Sequence, residues 1–306
     1  MILVTGGTGF VGRALIRQLV TMGKPVRTLL RPSTTSPNLP KGIPVEVAVC
    51  SLNDTRGLRA ALKGVDVIYH LVSTERRGSR SDLPGTDIEG TENLANAAAQ
   101  TGVERIFYLS HLSADRFSAF PLLKAKAIAE GYITHSGVDA TIFRSAAIYG
   151  PRDQFTTSLA SLIRLSPGLF FMPGDGSTLV QPIWIEDLIT CMLLALDDDE
   201  TRNQVFEVGG AEYFSFRQVV SSIMQTINVK RVLVPLGPAY LRMLALLVEQ
   251  MMPRFPISMF WLDYLAADRT CPLDTLPRRF GLIPARFTQN LDYLKPKPRR
   301  LLRSTH

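Results

Sequence analysis

The feature that most constrains this chain is its opening run, Met1-Ile2-Leu3-Val4-Thr5-Gly6-Gly7-Thr8-Gly9-Phe10-Val11-Gly12, an apolar strand that passes through a glycine-rich turn into a helix. Gly6 can take the backbone angles of a tight turn, Gly9 has no side chain to hold a pyrophosphate off, and Gly12 lets helix and strand pack closely. The N–H groups of the helix start then face the anion, and the helix dipole favours negative charge there. Three glycines alone mean only a tight turn, so the context decides. Here they directly follow Ile2-Leu3-Val4, open an amphipathic stretch over residues 10–22 ended by Gly23, and precede a second strand over 25–30. That order predicts a dinucleotide-binding domain, against the competing reading of an empty scaffold of the same shape.

With 306 residues and 46% hydrophobic content, the chain has ample material for one large domain or a core with a smaller appendage. Cys50, Cys191 and Cys271 are far apart and lack the paired spacing of metal knuckles; they read as small core residues in a reducing compartment, with no metal site. The first strand begins at Met1 and no apolar run reaches the roughly 18–20 residues that span a bilayer. The expectation is therefore a cytoplasmic chain without a signal or transit peptide. A net charge of +7 attracts anionic surfaces of any kind, but no recognition helix or aromatic-basic array points to nucleic acid.

Along the chain, Arg31 stands at the end of the second strand, where NAD-binding domains carry an acidic residue for the ribose 2′-hydroxyl, and so favours NADPH over the alternative NADH. After a third strand over 44–49, Cys50-Ser51-Leu52 should lie under the adenine, and Asn53-Asp54-Thr55 cap a helix reaching Gly64. A fourth strand over 65–70 ends in Leu71-Val72-Ser73, which would pass beneath ribose and diphosphate. His70 reads as a hydrogen-bonded core histidine. Residues 74–85, with Arg76, Arg77 and Arg80, read as a mobile loop near the cofactor mouth. A helix over 87–101 leads to a fifth strand over 105–109 that ends at Ser110, which places Ser110 and Ser113 near the cofactor. The alternation specifies an α/β fold with a Rossmann-type, doubly wound parallel sheet whose ligands lie beyond the strands' carboxyl ends.

The glycine motif, Gly64-Val65-Asp66, Asp87-Ile88-Glu89-Gly90-Thr91-Glu92-Asn93-Leu94 and Tyr108-Leu109-Ser110 together resemble the extended and atypical short-chain dehydrogenase/reductase superfamily. Active members carry a Tyr four residues before a Lys that lowers the phenol's pKa. Lys126 matches that lysine, because Glu130 and Ser136-Gly137 follow at the family spacing, and four residues before it is Leu122. Taking Lys124 instead gives Phe120. Neither carries a proton, Tyr132 lies on the wrong side of the lysine, and Tyr108 belongs to the preceding strand. Lys126 can still hold the nicotinamide ribose hydroxyls. The expected cofactor residues are Gly6, Thr8, Gly9, Phe10, Val11 and Gly12 of the turn, then Arg31, Ser51, Leu52, Leu71, Val72, Ser73, Ser110 and Lys126. No catalytic residue is firm, with Lys126 and Ser110 as candidates.

The second half reads as short alternating elements: a helix over 155–165, a strand over 179–184, a helix over 186–196 started by Glu186 and Asp187, and a strand over 204–208. The expected division is a nucleotide-binding core over 1–150, completed by segments around 179–208, a smaller C-terminal α/β lobe over 151–294, and a basic tail over 295–306. Residues 239–252 are strongly apolar, either a buried helix between lobes or a face toward a membrane or protein partner.

These pieces and the missing tyrosine are most similar to the atypical branch containing the NAD(P)H-binding accessory subunit of respiratory complex I and its bacterial relatives. The resemblance implies a nucleotide held as a structural component, and protein subunits of a larger membrane-associated complex as partners. Residues 239–262 and 295–303 would offer peripheral contact with an anionic membrane on its cytoplasmic face. The alternatives are an NADPH-dependent reductase, dehydratase or epimerase, whose proton comes from Ser110, Ser113, Lys126 or the 74–85 loop, and a redox-sensing regulator.

Overall fold

The computed structural model describes residues 1–34, 36–40, 42–75, 81–251 and 259–296. Strand β1 (Ile2–Thr5) is buried at every position, as a central parallel strand covered on both faces must be. The turn after it enters helix α1 (Phe10–Thr21), which buries Gly12, Leu15, Ile16 and Leu19 along one face. Strands β2 (Val26–Leu30) and β3 (Glu46–Val49) follow. Helix α2 (Thr55–Ala61) starts at Asp54, whose side chain accepts from the Gly57 N–H at 2.9 Å, a Ncap bond of the expected kind. Strand β4 is Val67–His70.

The stretch expected as a loop over 74–85 is helical at its end. A π-helical segment, Leu83–Glu89, is capped by Asp82 and runs straight into α3 (Gly90–Thr101). Pro84 sits in its first turn, where a missing N–H costs nothing, so the proline starts a helix rather than breaking one. Arg76, Arg77 and Arg80 lie outside the described residues. Then come β5 (Arg105–His111), α4 (Pro121–Thr134) and β6 (Asp139–Ser145).

Beyond β6 the elements are β7 (Ile148–Tyr149), α5 (Thr156–Leu165), β8 (Leu169–Pro173), β9 (Leu179–Val180), β10 (Ile183–Trp184), α6 (Ile185–Leu194), β11 (Gln204–Val208), β12 (Phe214–Ser215), α7 (Phe216–Thr226), β13 (Val232–Leu236), α8 (Pro238–Met251), α9 (Met259–Tyr264) and α10 (Thr275–Phe280). The strand expected over 179–184 is therefore two short strands, divided at Gln181-Pro182 where proline has no N–H for a ladder. Strand β8 was not expected; it pairs in parallel with β13. Glu186 and Asp187 sit in the first turn of α6, but neither makes a capping bond, and Asp187 instead accepts from the Ala285 N–H at 2.8 Å.

The main sheet has seven parallel strands in the order β11-β6-β5-β4-β1-β2-β3. Alternate residues of the same strands feed two cores. Leu3, Ile68 and Ile106 pack with Leu58 of α2, Leu94 of α3 and Ile133 of α4, while Val4, Tyr69 and Phe107 pack with Leu15 of α1 and Leu188 of α6. Helices thus cover both faces, a doubly wound Rossmann-like fold. A third cluster starts at Ala147 and Tyr149, directly after β6, and takes in Ile163, Phe170, Val220 and Tyr264. No described helix is long and apolar enough to cross a membrane.

Candidate functional site

Strand order reverses between β1 and β4, and a cleft of about 590 Å³ opens at their carboxyl ends, the place where such sheets hold ligands. All fourteen residues expected to contact a cofactor line this one cleft. Gly6 has a φ of +72°, and a Cβ there would stand 2.8 Å from the Leu71 carbonyl oxygen. A Cβ on Gly12 would meet the Gly6 oxygen at 2.3 Å, so the close approach of α1 to the turn needs glycine. Near Gly9 a Cβ would meet only the Gly6 oxygen, at 3.0 Å. Arg31 is exposed at the end of β2, and β3 delivers Ser51, Leu52 and Asn53; neither strand end brings a carboxylate to the lining.

At the deep end Lys126 is 2% exposed, whereas Lys124 points to solvent, which agrees with the choice of Lys126 as the family match. Its Nζ donates to the Leu109 carbonyl at 3.2 Å and lies 5.0 Å from the centre of the Tyr108 ring. Burial acts to lower the Lys126 pKa, but Tyr108, Asp87 and Glu75 outweigh it and hold the ammonium above the usual lysine value. Burial pushes the Tyr108 phenol up to about 12 against the pull of Lys126. At neutral pH the pair is a charged lysine beside a neutral phenol. Ser110 Oγ, buried in the lining, has no hydrogen-bond partner among the described residues. Leu122 is buried one turn before Lys126 and has no proton to give.

His70 is fully buried and bonded at both ring nitrogens, to Thr5 Oγ1 at 2.7 Å and Thr91 Oγ1 at 2.9 Å. Thr91 already donates to the Asp87 carbonyl, so it accepts from His70 Nε2–H, and Nδ1 accepts from Thr5. Burial, then repulsion from Lys126, holds the ring down at about 3. It is a neutral core histidine, as the sequence implies. Below it Asp87 Oδ2 accepts from the Thr74 N–H at 3.0 Å and the Thr74 hydroxyl at 2.5 Å, fixing the chain where it leaves β4.

Sequence reasoning missed the cleft's other polar pair. His111 Nε2 stands 2.7 Å from Glu75 Oε2, and both line the cleft; His111 Nδ1 is buried without a partner among the described residues. His111 directly follows Ser110, so the rule that places ligands at carboxyl ends could have reached it one residue further on. It missed Phe260, Trp261 and Tyr264 of α9 as well, which line the cleft from the side of the third cluster, with the Tyr264 hydroxyl accepting from the Ala147 N–H at 2.9 Å. A run of aromatic residues carries no signal that separates core from cleft. Ser113, placed near the cofactor by its distance from β5, is exposed at a φ of +62° and does not line the cleft. The turn after β5 carries it away.

A family model described as NAD(P)H-binding matches residues 6–159, and one described as the NAD dependent epimerase/dehydratase family matches residues 123–209. The chain belongs to the NAD(P)H-binding family. This NAD(P)H-binding chain is 27% identical to NADH dehydrogenase (ubiquinone) 1 alpha subcomplex subunit 9, mitochondrial, of Arabidopsis thaliana, over 74% of its own length and 57% of that protein's, less than two thirds of it. It is 29% identical to sterol demethylase protein B of Methylococcus capsulatus, over 83% of this chain and 82% of that one. Identity to photosystem II assembly factor Ycf39 of Trieres chinensis is 26%, over 72% and 67%. Among solved structures, UDP-glucose 4-epimerase of Thermus thermophilus in complex with NAD superposes with a TM-score of 0.71 over 96% of this chain and 97% of that one, at 20% identity, a likeness of fold alone.

Proposed function

We propose that this chain retains NADPH as a structural component and serves as an accessory or assembly subunit of a larger, membrane-associated complex of the respiratory complex I kind. The observation that carries the reading is the pairing of Lys126, charged and buried at the cleft floor, with Leu122 where active members of the superfamily keep their tyrosine. Binding the ribose needs only the ammonium, whereas the superfamily's usual turnover also needs a proton from the tyrosine that Leu122 replaces. A dinucleotide fits the residues present. The turn's N–H groups would take the pyrophosphate and Arg31 the 2′-phosphate. Ser51 and Leu52 would lie under the adenine, with Leu71, Val72 and Ser73 below the ribose and diphosphate. Lys126, together with Ser110 Oγ, which has no partner among the described residues, would take the nicotinamide ribose. When bound, the nucleotide would supply a hydride donor, and this chain's residues hold and orient it.

Docking on a larger assembly is supported by the Arabidopsis relative, named as a subunit, and the Trieres relative, named as an assembly factor. In this reading residues 1–150 hold the nucleotide and 151–294 face the partner, on the cytoplasmic side of the membrane. A second reading is favoured by Glu75 and His111: an imidazole backed by a carboxylate would supply the proton that Leu122 lacks, in an NADPH-dependent reductase, dehydratase or epimerase. Mild-detergent extracts of the native membranes, resolved by native electrophoresis, separate the two. The proposal predicts comigration with a large complex that persists in His111→Ala; a chain found only as free monomer contradicts it.

A further inference from the structure

A second cavity, about 330 Å³, lies in the C-terminal lobe against the cleft. Gln154, Phe155 and Trp261 line both, so the two spaces share a wall. The chamber is enclosed by apolar side chains of α5, β8 and α8, among them Leu159, Leu162, Phe170, Leu241 and Ala245, with Gln154, Ser158 and Ser166 its polar lining residues. Its far end is open. Leu165, Leu169 and Phe171 line it, yet they are 67%, 45% and 46% exposed and form an apolar rim. Helix α8 also exposes Tyr240, Met243 and Leu247, and an ion pair between Arg242 and Asp263 ties α8 to α9.

We infer that this chamber takes the hydrocarbon chain of a lipid, entering over the rim at Leu165 and Phe171, with the lipid's polar end in the cleft beside His111. Close-packed interiors leave few voids of this size, and a cavity with so few polar groups offers water too few partners. The volume falls at the lower end of small-ligand pockets. The polarity gradient also selects an amphiphile. The chamber is lined mostly by apolar side chains, while the cleft beside it presents His111 Nδ1, buried without a partner among the described residues, its ring 5.6 Å from that of Phe260. The inference does not depend on whether a nucleotide in the cleft is turned over.

The test titrates the purified full chain with cis-parinaric acid, a fluorescent polyene fatty acid, and competes it with palmitate and with farnesol. The expected result is saturable binding of one probe per chain, displaced by palmitate if the chamber prefers straight chains or by farnesol if it prefers branched ones. Ala245→Trp, which fills the chamber, weakens binding by about tenfold or more, since losing the burial of roughly two methylenes already does so. Leu165→Asp, at the exposed rim, weakens it while leaving the thermal transition unchanged, and decides the matter if Ala245→Trp does not fold. Absence of saturable binding, displacement by neither lipid, or equal affinity in folded variants overturns the inference.

Discussion

In the proposed reading, nucleotide binding turns on Lys126. Its ammonium is buried in the cleft lining, held charged by its neighbours, and a hydrogen bond from a charged donor is worth more than one between neutral groups. Lys126→Met is expected to weaken NADPH binding by about ten- to a hundredfold, the range for hydrogen bonds to a charged group. Isothermal titration checks it, and unchanged affinity would contradict the assignment. His70 makes a different prediction. An ordinary imidazole titrates near 6.5, whereas burial and Lys126 hold His70 at about 3. Between those values the unfolded chain binds a proton that the folded chain refuses, so stability falls as pH drops, by up to about 1.4 kcal/mol per pH unit. Denaturant unfolding should show that slope in the wild type and a shallower one in His70→Gln; equal slopes would contradict it. The glycines, Lys126 and His70 were legible because their roles follow from neighbours in the chain. The Glu75–His111 pair was not, since it forms only when β4 and β5 lie side by side.

At the scale of elements, the connection from β4 to α3 decides how the cleft is floored. Asp87 reaches back from the π-helical segment to take both the N–H and the hydroxyl of Thr74, all buried. Asp87→Ala leaves those donors without an acceptor and is expected to cost about 1–3 kcal/mol, read as a shifted urea midpoint at constant slope. A change below about 0.5 kcal/mol, the level of an ordinary surface substitution, would show that the contact does not hold the segment. This segment was illegible because Pro84-Gly85 looks like loop punctuation, and only its position after the Asp82 cap makes it a helix start. Four strands of the main sheet, β1, β3, β4 and β5, were legible because each leads into a helix, and the strand–helix spacing marks them out. Strand β8 follows Pro167-Gly168 and alternates in burial, but Leu169-Phe170-Phe171-Met172-Pro173 is apolar at every position, so its sequence shows no period of two to mark a strand.

At the scale of the molecule, a parallel sheet with a glycine-rich turn at its cleft is joined to helices α5, α8 and α9, which line an apolar chamber beside that cleft. Retained nucleotide would couple the two, because a ligand that binds only the folded chain stabilises it by about 2.7 kcal/mol at a hundredfold excess over its dissociation constant. The measurement that tests this most directly is mass spectrometry of nucleotide released by denaturing the natively purified protein, with the reduced-nicotinamide absorbance of the intact protein followed after addition of oxidant. The account predicts NADPH near one per chain, released on denaturation and not consumed before it. An empty site, together with no rise in the thermal transition on adding NADPH or NADH, would contradict it.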